Sequence, residues 1–140
     1  MENFNLYVKE NDISDIHSKL REGIIDYNKH FLGDKIAADF SITIEDENKH
    51  LIGGVSGYRS GEYVMVQWVW VDEHYRAKGV GTRLFKKLDE FTLSKKCKFL
   101  TLETLEFQAK DFYEKFGFSV AATLPNWFYG YSLHIMRKQF

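Results

Sequence analysis

The stretch Tyr63-Val64-Met65-Val66-Gln67-Trp68-Val69-Trp70-Val71, continued after a polar loop by Arg76-Ala77-Lys78-Gly79-Val80-Gly81-Thr82, decides the fold. In its first part Val64, Val66, Trp68 and Trp70 occupy one face, and Tyr63, Met65, Val69 and Val71 the other. Apolar residues on both alternating faces predict a central strand covered on both sides. In its second part Val80 is followed by Leu84, Leu88 and Phe91 at helical spacing, with Lys86, Lys87, Asp89, Glu90 and Lys95 mostly elsewhere. That is an amphipathic helix. Phe99–Thr104 then reads as a further strand. Strand, helix and strand in this order predict a parallel crossover.

Working outward, Phe4, Leu6 and Val8 alternate with other positions and predict a first short strand. Asp12 is placed to cap a helix, with Asp15 in its first turn. Ile13, Ile16, Leu20, Ile24, Tyr27 and Phe31 form one apolar stripe along it, and Gly33 marks its end. Phe40, Ile42 and Ile44 predict a strand with one wet face, and a turn at Asp46–Lys49 leads to a strand around Leu51–Tyr58. Downstream, a short helix turns Ala109, Phe112 and Phe116 inward and closes at Gly117. Phe118–Leu124 and Tyr129–Met136 complete the set. The order β-α-β-β-β-α-β-α-β-β defines an α/β protein with a mixed sheet.

Composition limits the partners. The 140 residues predict a single domain spanning 1–140, without linker or repeat. Nineteen basic against 20 acidic residues leave a net charge of −1, so no general basic field points to nucleic acid. The start Met1-Glu2-Asn3-Phe4-Asn5 lacks the features of a signal peptide, and the apolar run Val64–Val71 is far too short for a bilayer. The expectation is a soluble, cytoplasmic chain with no membrane partner. One cysteine, Cys97, supports neither an internal disulfide nor a thiolate cluster, and the histidines lack metal-ligand spacing. The 12 Phe, 8 Tyr and 3 Trp exceed what excludes anything and await a location.

The Arg76–Thr82 loop carries the chemistry. At a strand-to-helix turn, free backbone N–H groups face outward at the positive end of the helix dipole. Gly79 and Gly81 keep side chains out of the way, while Arg76 and Lys78 add positive charge. Together they form a cradle for a pyrophosphate. Leu84 stands where a dinucleotide fingerprint needs its third glycine, and Gly81-Thr82-Arg83 is no Walker ending. A glycine-softened turn with surface charges is the plainer reading of the same residues.

Two motifs together are more specific. Arg76-x-x-Gly79-x-Gly81 and, about 30 residues on, Ala109-x-x-Phe112-Tyr113-Glu114-Lys115-x-Gly117-Phe118 resemble the acyl-CoA loop and final helix–strand of the GCN5-related N-acetyltransferases, the GNAT superfamily. The resemblance covers Phe4 to Met136. It implies a GNAT-like mixed, mostly antiparallel sheet of about seven strands, with a central parallel pair and flanking helices. It also implies acetyl-CoA as acyl donor. Arg76, Ala77 and the amides of Lys78, Gly79, Val80, Gly81 and Thr82 would hold the pyrophosphate. The strand end at Val69–Val71 would splay from its neighbour, bind the pantetheine arm and polarise the thioester carbonyl. The acceptor amine would attack directly, and Tyr113 would protonate the departing thiolate. Tyr113 as a packing residue is the alternative. Glu106 stands where many members carry a cofactor-contacting Asn, leaving Thr104 or Gln108 to substitute. Members often dimerise, so a homodimer is among the implied partners.

For a general base Glu103, beside the proposed split, is the first candidate, against a simple solvated carboxylate. His74 reads as a surface residue and His134 and Cys97 as structural. The acceptor pocket is expected between the first helix (Tyr27, Asn28, Phe31), the central strand (Gln67, Trp68) and the last loop (Asn126, Trp127, Phe128, Tyr129). Singly, each aromatic reads equally well as core; the loop cluster points to binding. The leading reading is an N-acetyltransferase acting on a primary amine of a small molecule. Acetylation of a protein N-terminus or lysine, and a catalytically silent acyl-CoA sensor, are the alternatives.

Overall fold

The computed structural model describes residues 2–34 and 37–140. They form two units, one up to residue 35 and one from residue 36. The first unit contains helix α1, Ser14–Leu32. Asp15 in its first turn and Lys29 and His30 in its last complement the helix dipole. Gly33, at φ 68°, ends it and donates its N–H to the Lys29 carbonyl at 3.0 Å. The N-cap is Ile13, without a side-chain hydrogen bond, rather than Asp12, whose φ is 45°. Residues 2–10 form no strand. The Phe4–Val8 alternation fails there because a strand needs a ladder partner, and none of the paired registers includes these residues.

The second unit is built on a six-stranded sheet in the order β1-β2-β3-β4-β6-β5, one strand fewer than expected. The strands are β1 (Ala38–Glu45), β2 (Leu51–Ser60), β3 (Tyr63–Val71), β4 (Phe99–Leu105), β5 (Ser119–Phe128) and β6 (Tyr131–Gln139). Helix α2 (Val80–Ser94) joins β3 to β4, and α3 (Lys110–Lys115) joins β4 to β5. Among the described residues only the β3–β4 pair is parallel. This is the parallel crossover predicted around Gly79. Among the described residues no helix is long and apolar enough to cross a membrane.

Local chemistry explains the punctuation. Between β1 and β2 the Asp46 carboxylate accepts N–H bonds from Asn48 (2.8 Å) and His50 (2.9 Å). The His50 amide foremost holds that carboxyl below its usual range. The β5–β6 hairpin turns on Tyr129 and Gly130, both at positive φ (46° and 83°), as a primed two-residue turn requires.

The core lies between α2, α3 and one face of the sheet. Val80, Leu84 and Leu88 are buried as their spacing predicts, with Phe91 packed against them. The centre, however, is Phe85. It is fully buried, and the rings of Phe112, Tyr113, Phe116 and Phe118 stand 5.4–6.2 Å from it. Such pairs add to the burial of area. Lys138 Nζ on β6 meets Asp89 Oδ2 on α2 at 2.7 Å, tying the helix to the sheet.

Strand β3 departs from expectation in its second half. Val64 and Val66 are buried, but Trp68 is 75% and Trp70 48% exposed, so the strand is not covered on both faces throughout. Its parallel pairing with β4 runs from Tyr63–Phe99 to Val66–Leu102 and stops. At the same point Gln67 is an extra residue: Gly57 pairs with Val66 and Ser56 with Trp68. This β-bulge re-aims the strand. Gly57 has to be glycine, because a Cβ there would overlap the Met65 carbonyl.

Candidate active site

Where β3 parts from β4, a cleft of about 800 Å³ opens. Residues 66–71 form one wall, Leu102 and Glu103 the other, and Gln108, Ala109 and Tyr113 the end. The strand register decides which backbone groups face it. Asp72 N–H donates to the Ile52 carbonyl at 2.9 Å, so 52–72 is a hydrogen-bonded pair. Hydrogen-bonded and non-bonded pairs alternate in an antiparallel ladder. Val69 and Val71, out of phase with Asp72, therefore turn their N–H and C=O groups away from β2 and into the cleft. Arg76 Nε donates to the Val71 carbonyl at 3.0 Å, which anchors the guanidinium at the strand end.

The cleft continues into a cavity of about 370 Å³ lined by Tyr75, Arg76, Ala77, Gly79, Val80, Gly81 and Thr82, with Phe112 opposite. Ala77 (φ 57°) and Gly79 (φ 80°) take left-handed conformations that fold the loop back onto α2. Gly79 is the N-cap, and the first bond of the helix is Arg83 N–H to the Gly79 carbonyl at 3.0 Å. The N–H groups of Val80, Gly81 and Thr82 therefore have no intrahelical acceptor, and no side chain caps them. A Cβ at Gly79 would meet open space, whereas one at Gly81 would press on Phe112 at 3.3 Å. Gly79 thus serves backbone conformation, and Gly81 also serves the approach of α3. Lys78 lies outside the lining, with its ammonium 5.6 Å from the Tyr75 ring centre.

Tyr113 borders both cavities. It is 8% exposed, wedged between Phe85 and Phe118, and burial alone pushes its phenol pKa up. Its hydroxyl has no hydrogen-bond partner among the described residues, so the proton is available to a ligand. The Gln108 side-chain oxygen accepts from Leu105 N–H (2.7 Å) and Thr104 Oγ1 (3.3 Å), which leaves its NH₂ group for the cleft. Glu106 turns elsewhere: its Oε1 accepts the Ser132 N–H at 3.0 Å. Thr104 is buried.

A third cavity, of about 500 Å³, adjoins the cleft on the far side of the bulge. Met65, Gln67, Trp68, Glu103, Trp127 and Phe128 are in its wall. Trp127 and Phe128 were expected on a loop; they end β5, and Tyr129 stands in the turn, 89% exposed and outside the wall. Asn126 takes a left-handed φ of 52° at the irregularity before them. Tyr27, Asn28 and Phe31 lie on α1 of the first unit, where the Tyr27 and Phe31 rings touch at 5.7 Å. His74 is exposed on Asp72 Oδ1 (3.0 Å), His134 pairs with Thr123 Oγ1 (2.9 Å), and burial raises the Cys97 thiol pKa. Met65 and Ala109, which the sequence patterns placed in packing faces, are wall residues, as is Phe107, which no pattern singled out. The usable signal was Gly57, opposite the bulge, whose requirement for glycine betrays the break in the strand.

The sequence profile described as the Acetyltransferase (GNAT) family matches residues 4–118. The chain belongs to the GNAT acetyltransferase family. An acetyltransferase of Agrobacterium fabrum is 25% identical over 131 residues, covering 92% of this chain and 96% of that protein. The blasticidin-S acetyltransferase of Streptomyces morookaense is 31% identical over 94 residues, 66% of this chain and 69% of that one. A solved acetyltransferase of Bacillus cereus superposes with a TM-score of 0.84 at 26% identity, covering 96% of this chain and 98% of that chain.

Proposed function

We propose that this GNAT acetyltransferase moves the acetyl group of acetyl-CoA to a primary amine of a small molecule, with residues 1–140 working as one domain in the cytoplasm. The observation that carries this is one continuous groove. It holds the unpaired amides of Val80–Thr82, the cleft-facing backbone of Val69 and Val71, and the unpartnered hydroxyl of Tyr113. The amides and Arg76 would bind the pyrophosphate, at the positive end of α2. The Gln108 NH₂ group would orient the arm beyond it. A cleft-facing N–H of Val69 or Val71 would polarise the thioester carbonyl.

Glu103, directly or through water, accepts a proton so that the amine arrives neutral. The nitrogen would attack the carbonyl carbon, forming the N–C bond; its extra proton would pass to water as the carbonyl re-forms and the C–S bond breaks. Tyr113 gives its proton to the departing sulfur and regains one from solvent. The relative named for blasticidin S supports a small-molecule acceptor over a protein N-terminus or lysine. Calorimetry should show acetyl-CoA binding at one site per chain, and thiol release should rise with added amines. Absence of binding overturns the donor; binding with no amine-dependent release leaves a sensor; release with peptides alone makes it a protein acetyltransferase.

A further inference from the structure

The acceptor-side cavity has an uneven chemistry. Among the described residues its only formal charge is Glu103, on β4. That carboxylate has no ion pair and no hydrogen bond among the described residues. The adjoining cleft adds one further charge, and it is the cation Arg76, tied to the Val71 carbonyl. Most of the remaining wall is apolar or aromatic. Trp68, Trp127 and Phe128, 75, 58 and 53% exposed, line it together with Met65 and Leu133. Gln67 and Gln108 supply neutral amides.

An ammonium group is strongly hydrated, and it gives up that water cheaply only against an anion or an aromatic face. One carboxylate accommodates one such group. A second or third ammonium on the same molecule finds no second carboxylate in the wall, and would compete with the ring for the aromatic faces or approach Arg76. A flat ring, by contrast, covers exposed indole and phenyl surface with favourable stacking geometry.

Resting on the small-molecule reading above, we propose that the acceptor is a singly charged primary amine carried on a flat ring. The amine lies at Glu103 and the ring against Trp68, Trp127 and Phe128, with Gln67 addressing polar groups at the ring edge. Polycationic amines are poor acceptors. A cavity of about 500 Å³ is within the range that holds a molecule of one to three rings.

The test compares amines under identical acetyl-CoA saturation. Tryptamine and tyramine represent the flat monoamines; spermidine and kanamycin represent the polycations. The expected result is a kcat/KM for the flat amines above that for the polycations by about tenfold to a hundredfold. Trp127→Leu should raise KM for tryptamine by about tenfold, with acetyl-CoA affinity unchanged by calorimetry. Glu103→Gln should lower kcat/KM for tryptamine by more than for a neutral hydroxylamine ether, which carries no charge to be paired. Equal or faster turnover of spermidine or kanamycin overturns the proposal while leaving the small-molecule reading intact. If acetyl-CoA binds but no amine of either group is turned over, that broader reading fails and takes the proposal with it.

Discussion

At the scale of single residues, Tyr113 joins the core to the groove. Its ring fills the space beside Phe85 and Phe118, while its hydroxyl reaches the groove. Burial disfavours the phenolate, so the pKa lies above the ordinary tyrosine value. The group therefore stays a proton donor through the pH range in which a solvated tyrosine begins to ionise. The sign for stability is the same: its contribution is complete below the unfolded pKa and is lost as pH rises through the folded one. Tyr113→Phe preserves the packing and removes only the O–H. It should lower kcat by about a hundredfold or more, abolish an alkaline limb lying above the ordinary tyrosine range, and leave acetyl-CoA affinity unchanged by calorimetry. Full turnover at every pH would exclude the acid role. The place of Tyr113 on the short helix was legible through its motif; the orientation of the Gln108 side chain was not, because it depends on a carboxamide oxygen held by both Leu105 N–H and Thr104 Oγ1.

At the scale of elements, β3 is the informative case. Its bounds, Tyr63–Val71, are those the alternation predicts. Its surroundings are not, because an apolar period records that a face avoids water and is silent about what covers it. One half of the strand is covered by protein; the other half borders the cleft. The bulge at Gln67 separates the halves, and Gly57 makes the bulge sterically feasible. Gly57→Ala should therefore destabilise the fold by about 1–3 kcal/mol or more, read as a lower urea midpoint. It should also weaken acetyl-CoA binding beyond what that stability loss explains, since the strand must move where it forms the wall. Gly23→Ala on α1 has open space around its Cβ and should show neither effect. The expected strand at Phe4–Val8 failed for a related reason, since alternation without a ladder partner makes no strand.

At the scale of the whole second unit, one aromatic cluster links α2, α3, the sheet and the groove. Phe85 was missed in the sequence because the stripe Val80, Leu84, Leu88 and Phe91 already accounted for one helix face. The widening of that face follows from α3 packing alongside. Phe85→Ala should cost about 3–5 kcal/mol, measured by chemical denaturation, and should loosen Tyr113 and Phe112 together. Since Phe112 also abuts Gly81, acetyl-CoA binding should weaken in the same variant.

Element order from α1 onward, the parallel crossover and the glycine-bearing turn after β3 follow from the sequence alone. Strand period, helix period and the conformational freedom of glycine are properties of a few neighbouring residues. The tertiary structure alone decided where β3 leaves β4, which amides lack partners, which way Gln108 and Glu106 turn, and that Glu103 faces Trp68 and Trp127 across one cavity. Each of these depends on what lies opposite a residue in space, and that is set by chain segments distant in sequence.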